Sequence, residues 1–233
     1  MRRTLAIDPH ASPPLTMNKL LTTMLLASAL AGLSQGAVAQ DAKAGEKKIA
    51  MCIGCHGIPG YQASFPEIHK VPMISGQGAK YIVAALTGYK KGERKHPTMR
   101  AIAASLSDQD MADLAAFYES NVGGDAGVAS VAAREPSAEV AALLTKGNCV
   151  SCHGEGLNKP IDPSYPKLAG QHADYLFVAL KAYKTDNSAT VGRGNAIMGG
   201  MAKPFTNAEL KLLAKHIESL PGDLRTVAQP RFR

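Results

Sequence analysis

The chain has 233 residues, 45% of them hydrophobic and 19% charged, with a formal net charge of +7. The charge is lopsided, +1 over residues 40–130 and +4 over residues 131–233. That balance suits an acidic partner or an anionic membrane surface, but it is too small to argue for nucleic acid, and no nucleic-acid motif is present.

Residues 1–16 carry Arg2, Arg3 and Asp8 ahead of a natural start at Met17 and read as an upstream extension. From Met17 the chain runs Met-Asn-Lys, then an apolar stretch from Leu20 to Leu33, then Ala37-Val38-Ala39. This is the pattern of a secretory signal peptide cleaved after Ala39, and the apolar stretch is shorter than the roughly 18 to 20 residues of a membrane span. Cleavage leaves 194 residues, enough for one ordinary domain or two small ones.

Within 40–122, helices are predicted from about Ala42 into Cys52, from about Ala79 to Lys91, and from about Asp108 to Asn121 with Ser107 as N-cap. A Gly/Ala/Ser-rich stretch over 123–136 reads as a linker. Within 137–224 the pattern returns, with helices over about Ala138 to Cys149, His172 to Lys184 and Asn207 to Leu220, capped by Thr206 and stopped by Pro221-Gly222. Residues 225–233 form a tail. No run alternates as a strand would.

The two halves are a duplication. Cys52-Ile53-Gly54-Cys55-His56 faces Cys149-Val150-Ser151-Cys152-His153, and these pentads use all four cysteines. Pro72 to Gln77 faces Pro166 to Gln171, Tyr81 faces Tyr175, Tyr89-Lys90 faces Tyr183-Lys184, and Leu114 faces Leu213.

Cys-x-x-Cys-His is the attachment signature of haem c: two thiols three positions apart add to the two vinyl groups of one porphyrin, and the adjoining imidazole points at the iron. Alternatives fit less well. A thioredoxin-like pair belongs in a strand-to-helix unit, a zinc ribbon spaces its knuckles by roughly 15 to 20 residues, and disulfides do not explain two identical pentads. The expectation is two covalent haem c groups held by Cys52, Cys55, Cys149 and Cys152, with iron bound by His56 and His153. With aromatics at 5% and no tryptophan, each unit of this size has a thin core that the macrocycle completes.

Met99 and Met198 correspond in the alignment and are the expected sixth ligands, each seven residues before Leu106 or Phe205 and in a polar Gly/Pro/Arg loop. A core-filling Met is the ordinary alternative. His96 and Met201 are competitors, while His69 and His172 read as surface residues or supports. Pro72 and Pro166 are placed to offer a carbonyl to the axial histidine's other ring N–H, a plain turn proline being the alternative. Arg94 and Arg193 are candidates for haem propionates, solvent exposure being the alternative. The Lys90 to Lys95 run reads as a solvated loop or a docking patch. Gly45 and Ala142 are candidates for the crossing of first and last helices, near Phe117 and His216.

On these motifs, with Pro166-Lys167-Leu168-Ala169-Gly170-Gln171 and Met99 leading into Leu106-Ser107-Asp108, the chain resembles cytochrome c4. The resemblance implies an all-α fold of two tandem class I cytochrome c domains, each wrapped around one covalently attached haem c. It implies a periplasmic carrier, free or peripherally membrane-associated, passing electrons from a quinol-oxidising complex toward a terminal oxidase. It also implies haems close together, with propionates toward one another. The first unit departs from the family, with Pro72-Met73-Ile74-Ser75 in place of a Lys-Leu-Ala style segment and with 20 positions from first cysteine to proline against 17; Met73 is a candidate to intrude near the first haem. An enzyme would open one axial position, whereas each unit here has a matched Met and no catalytic insertion, so the expectation is a carrier with redox-protein partners and no small-molecule substrate. A cytochrome subunit of a larger dehydrogenase, such as a flavocytochrome sulfide dehydrogenase, is the alternative.

Overall fold

The computed structural model describes residues 39–122, 135–186 and 188–228. The segments expected to be an upstream extension and a signal peptide (all but Ala39), most of the expected linker and the last tail residues lie outside the described residues. No described helix is long and apolar enough to cross a membrane.

In the first repeat α1 covers Ala42–Glu46 and α2 Ala50–His56. One continuous helix was expected here. Asp41 caps α1 by accepting from the Lys43 and Ala44 amides, and the helix then tightens through short-range bonds from Lys47 to Ala44 and from Lys48 to Gly45. The resulting turn brings the Lys48 ammonium 2.7 Å from both Asp110 and Asp113. The strands β1 (Gln62–Ala63) and β2 (His69–Lys70) pair antiparallel within the first unit's longer connection. Next come α3 (Ala79–Lys91), ended by Gly92 at φ 78°, then β3 (Arg94–Lys95), α4 (Pro97–Ala104) and α5 (Asp108–Ser120). Ser107 and Asp110 form a capping box at the start of α5.

The second repeat contains α6 (Ala138–Gly147), α7 (Val150–His153), α8 (Ala173–Ala182), β4 (Gly192–Arg193), α9 (Ala196–Ala202) and α10 (Asn207–Glu218). Thr206 and Glu209 repeat the capping box. The expectation of no strands is corrected by these four two-residue strands; β3 pairs with β4 antiparallel, Arg94 opposite Arg193, so this sheet joins the repeats.

The first core gathers Ile49, Ile53, Ile82, Leu106, Met111, Leu114 and Tyr118 between α2, α3 and α5. A β-carbon on Gly45 would lie 2.1 Å from the Asp113 carbonyl oxygen and 2.9 Å from Phe117 Cβ, so the predicted crossing of α1 over α5 needs glycine. Ala142, its expected counterpart, is exposed. The buried stripe of α6 is Val140, Leu143 and Gly147, which leaves Ala142 on the outer face. Two smaller clusters, one around Leu143, Phe205, Leu210 and Leu213 and one around Leu157, Leu176, Ala214 and Ile217, make the second core.

The matched segments before α3 and α8 hold the repeats together. Gln77 donates to the Lys167 carbonyl at 3.0 Å and accepts from the Lys167 amide at 2.9 Å. Gln171 treats Met73 the same way, at 2.9 and 3.0 Å. Met73 is buried at this contact. Around it the Lys70 amide donates to Asp174, Lys181 pairs with Glu67, and the Arg225 amide donates to Ser75.

Candidate functional site

On α2, Cys52, Cys55 and His56 stand at i, i+3 and i+4, so one helix face presents both thiols and the imidazole. All four cysteines are free and partly buried, so the disulfide reading fails. Among the described residues no group of three or more His, Cys, Asp or Glu side chains is placed to hold a metal ion. Burial pushes the Cys52 and Cys149 thiols above their ordinary pKa.

His56 Nδ1 lies 2.8 Å from the Pro72 carbonyl oxygen, and His153 Nδ1 lies 2.9 Å from that of Pro166. A carbonyl can only accept, so Nδ1 carries the proton in each ring and Nε2 keeps its lone pair. Burial lowers both histidine pKa values, which favours the neutral ring that binds metal. The proline carbonyls thus accept from the imidazoles and orient them, the first of the two roles open to these prolines from sequence.

Met99 and Met198 occupy matching places, but on the short helices α4 and α9, not in loops as expected. Pro97 at the first position of α4 and cap side chains at His96 and Asn195 explain the helices. The Met198 amide donates to Asn195 Oδ1 at 2.9 Å and the Met99 amide to His96 Nδ1 at 3.4 Å. His96 therefore serves as a cap where its counterpart is an asparagine. Met198 is partly buried, while Met201 is 38% exposed. His69 is not at the surface: it is buried, with its ring 6.2 Å from that of His96 and 5.8 Å from that of Tyr175. His172 is partly buried, 3.9 Å from Glu218.

Arg94 and Arg193 face each other across the β3–β4 pair and are partly buried, which removes the solvent-exposed reading. Arg94 donates to the Tyr81 hydroxyl at 3.1 Å and Arg193 to that of Tyr175 at 3.0 Å. Each guanidinium also lies over the ring of the matched Tyr89 or Tyr183, at 5.6 and 5.4 Å. Among the described residues neither arginine has a carboxylate within ion-pair distance. Two neighbouring, partly buried cations without counter-ions are costly, and carboxylates brought in by a prosthetic group would compensate them. Within the Lys90 to Lys95 run, Lys90 Nζ donates to the Leu106 carbonyl at 2.6 Å, as Lys184 does to Phe205, and Lys95 Nζ reaches the Ser188 carbonyl at 2.6 Å, while Lys91 and Glu93 are exposed. Gln77, Gln171 and the four tyrosines are repeated in the sequence without revealing their roles: the glutamines bridge the repeats, and the tyrosines hold the arginine of their own repeat.

Paired thiols, a neutral imidazole with a free Nε2, and partly buried cations fit a covalently attached haem in each repeat. The cytochrome c family model matches residues 42–121 and again 137–221. Cytochrome c4 of Azotobacter vinelandii is 33% identical over 225 residues, covering 88% of this chain and all of that protein. The thiosulfate dehydrogenase electron acceptor of Stutzerimonas stutzeri is 30% identical, covering 72% of this chain and 78% of its own. The solved cytochrome c4 of Acidithiobacillus ferrooxidans superposes with a TM-score of 0.57 at 26% identity, covering 74% of this chain and 99% of that one.

Proposed function

This chain belongs to the cytochrome c family as a two-domain cytochrome c4, a dihaem electron-transfer protein, and on that premise we propose the residues and the route by which it carries electrons. Cys52 and Cys55 anchor the first haem c through thioethers, and Cys149 and Cys152 anchor the second. His56 with Met99, and His153 with Met198, would supply the protein's ligands to the two irons. The bound iron supplies a one-electron ferric/ferrous couple. The chain's own residues do the rest: Pro72 and Pro166 fix the imidazoles, methionine sulfur favours the reduced state, and Arg94 and Arg193 hold propionates at the contact between repeats. The observation that carries this reading is the His-to-Pro carbonyl geometry, formed twice at matching places.

The protein acts in the periplasm after removal of residues 1–39, accepting electrons from a quinol-oxidising complex and delivering them to a terminal oxidase. It is a carrier, in which each iron would be offered one histidine and one methionine by the chain. Spectroelectrochemical titration tests the ligand set: two one-electron waves are expected, with a methionine-to-ferric-haem band near the red edge of the visible integrating to two per protein. A band integrating to one would retire Met99 or Met198, and carbon monoxide binding without loss of a Met ligand would retire the carrier reading. Similarity to a thiosulfate dehydrogenase electron acceptor favours a second reading, the cytochrome subunit of a larger dehydrogenase. Co-purification separates the two: a dehydrogenase retained through salt washes supports the subunit, and a monomer reduced by a quinol-oxidising complex supports the free carrier.

A further inference from the structure

Among the described residues the Tyr118 hydroxyl is a fully buried polar atom without a hydrogen-bond partner. Tyr118 is 4% exposed and sits on α5 in the apolar cluster against which Cys52 packs. No hydrogen bond closes between the Tyr118 hydroxyl and the Cys52 sulfur. Burial raises its pKa well above the ordinary tyrosine value, so the hydroxyl keeps its proton.

The second repeat lacks this group. The offset that places Ser107 opposite Thr206 and Leu114 opposite Leu213 puts Ile217 opposite Tyr118. Ile217 is also 4% exposed, in the cluster that packs against Cys149. A buried hydroxyl carries a desolvation cost that an isoleucine avoids, so the first repeat retains a donor at a place where packing alone asks for an apolar side chain.

We infer that Tyr118 is a positioning residue for the first haem, donating its hydroxyl hydrogen bond to the Cys52 sulfur and raising that haem's reduction potential. The inference rests on the reading of Cys52 as a thioether anchor. As a thiol, Cys52 has a hydrogen of its own; as a thioether it has none and can only accept, which leaves the Tyr118 hydroxyl as the donor. A donor drawing electron density from a haem substituent favours the ferrous state, and hydrogen bonding around the cofactor is one of the levers a protein holds over potential. The duplicated sites are thereby made unequal at this position.

The test uses holoprotein with Tyr118→Phe, which keeps the ring and removes the hydroxyl, and Tyr118→Ile, which installs the second repeat's residue. Haem methyl resonances, assigned to each repeat by nuclear Overhauser contacts, identify which wave belongs to which haem. In both variants the first haem's reduction equilibrium constant is expected to fall about fivefold, or ~40 mV for one electron, with the second unmoved. The redox-difference infrared spectrum of the native protein is expected to contain a tyrosine band that the Phe variant lacks, a signature that a purely packing role would not produce. Unmoved potentials on a Cys52-attached haem, or equal shifts in both, overturn the inference alone. Peptide mass spectrometry showing native Cys52 without haem would overturn the anchor reading and this inference with it.

Discussion

Gly45 and Asp113 show how single atoms hold the first repeat closed. A methyl group on Gly45 would meet backbone at 2.1 Å, so Gly45→Ala forces α1 and α5 apart. The expected loss is about 1–3 kcal/mol by thermal or denaturant unfolding, while Ala142→Ser on the outer face of α6 should change stability by less than about 0.5 kcal/mol. The Asp113 carboxylate binds Lys48, Gln109 and the Asp41 amide, at 2.7, 2.7 and 3.1 Å. The Lys48 ammonium holds the Asp113 pKa below its ordinary 3.8. A depressed carboxyl pKa means that the stabilisation is complete above that ordinary value and is lost as pH falls through and below it. Asp113→Asn should therefore lower the melting temperature at neutral pH, and its gap to the native protein should close in acid; a gap that holds constant down to pH 2 would dissociate Asp113 from acid unfolding. The histidines and cysteines of the pentads were legible in sequence because their spacing is dictated by the porphyrin. Lys48 and Asp113 were not, because ion pairs between residues 65 positions apart leave no local pattern.

Among the elements, α3, α5 and α10 were readable to within a residue or two: α5 and α10 each combine an apolar stripe with a capping box, and α3 combines its stripe with the stop signal of Gly92. Helices α4 and α9 escaped notice. At eight and seven residues they are too short for periodicity to speak, yet Pro97 and Asn195 were start signals in plain view. These caps control how firmly the methionine-bearing turns are held. Asn195→Ala should cost the second repeat about 1 kcal/mol and weaken the red-edge band of one haem only, read by absorption during thermal melting. The division of the predicted first helix into α1 and α2 came from a tertiary demand, the reach of Lys48 to α5, that local propensity does not encode.

At the scale of the whole molecule, the repeats are joined by copies of the same residues working in opposite directions: Gln77 grips the backbone of Lys167 and Gln171 that of Met73. Both glutamines are 4% exposed, so truncation leaves buried backbone groups unpaired. Gln77→Ala and Gln171→Ala should each cost about 1–3 kcal/mol, and calorimetry of the double variant should show less than the sum, since the two pairs close one contact. Full additivity would mean that the pairs act independently. Apoprotein should lack cooperative melting by circular dichroism, since each thin core is completed by its macrocycle, and attachment should restore it.

Sequence alone determined the duplication, the two haem attachments and the helical class, because these rest on short-range chemistry: thiols and imidazole at fixed spacing, caps beside apolar stripes, and a pattern stated twice. Only the tertiary structure decided which neighbours the repeated Gln, Tyr and Arg positions have, which role the prolines take, and that the Tyr118 hydroxyl is buried without a partner. Those outcomes depend on which groups become neighbours once water is excluded, and burial between segments that are distant in the chain is set by the packing of the whole.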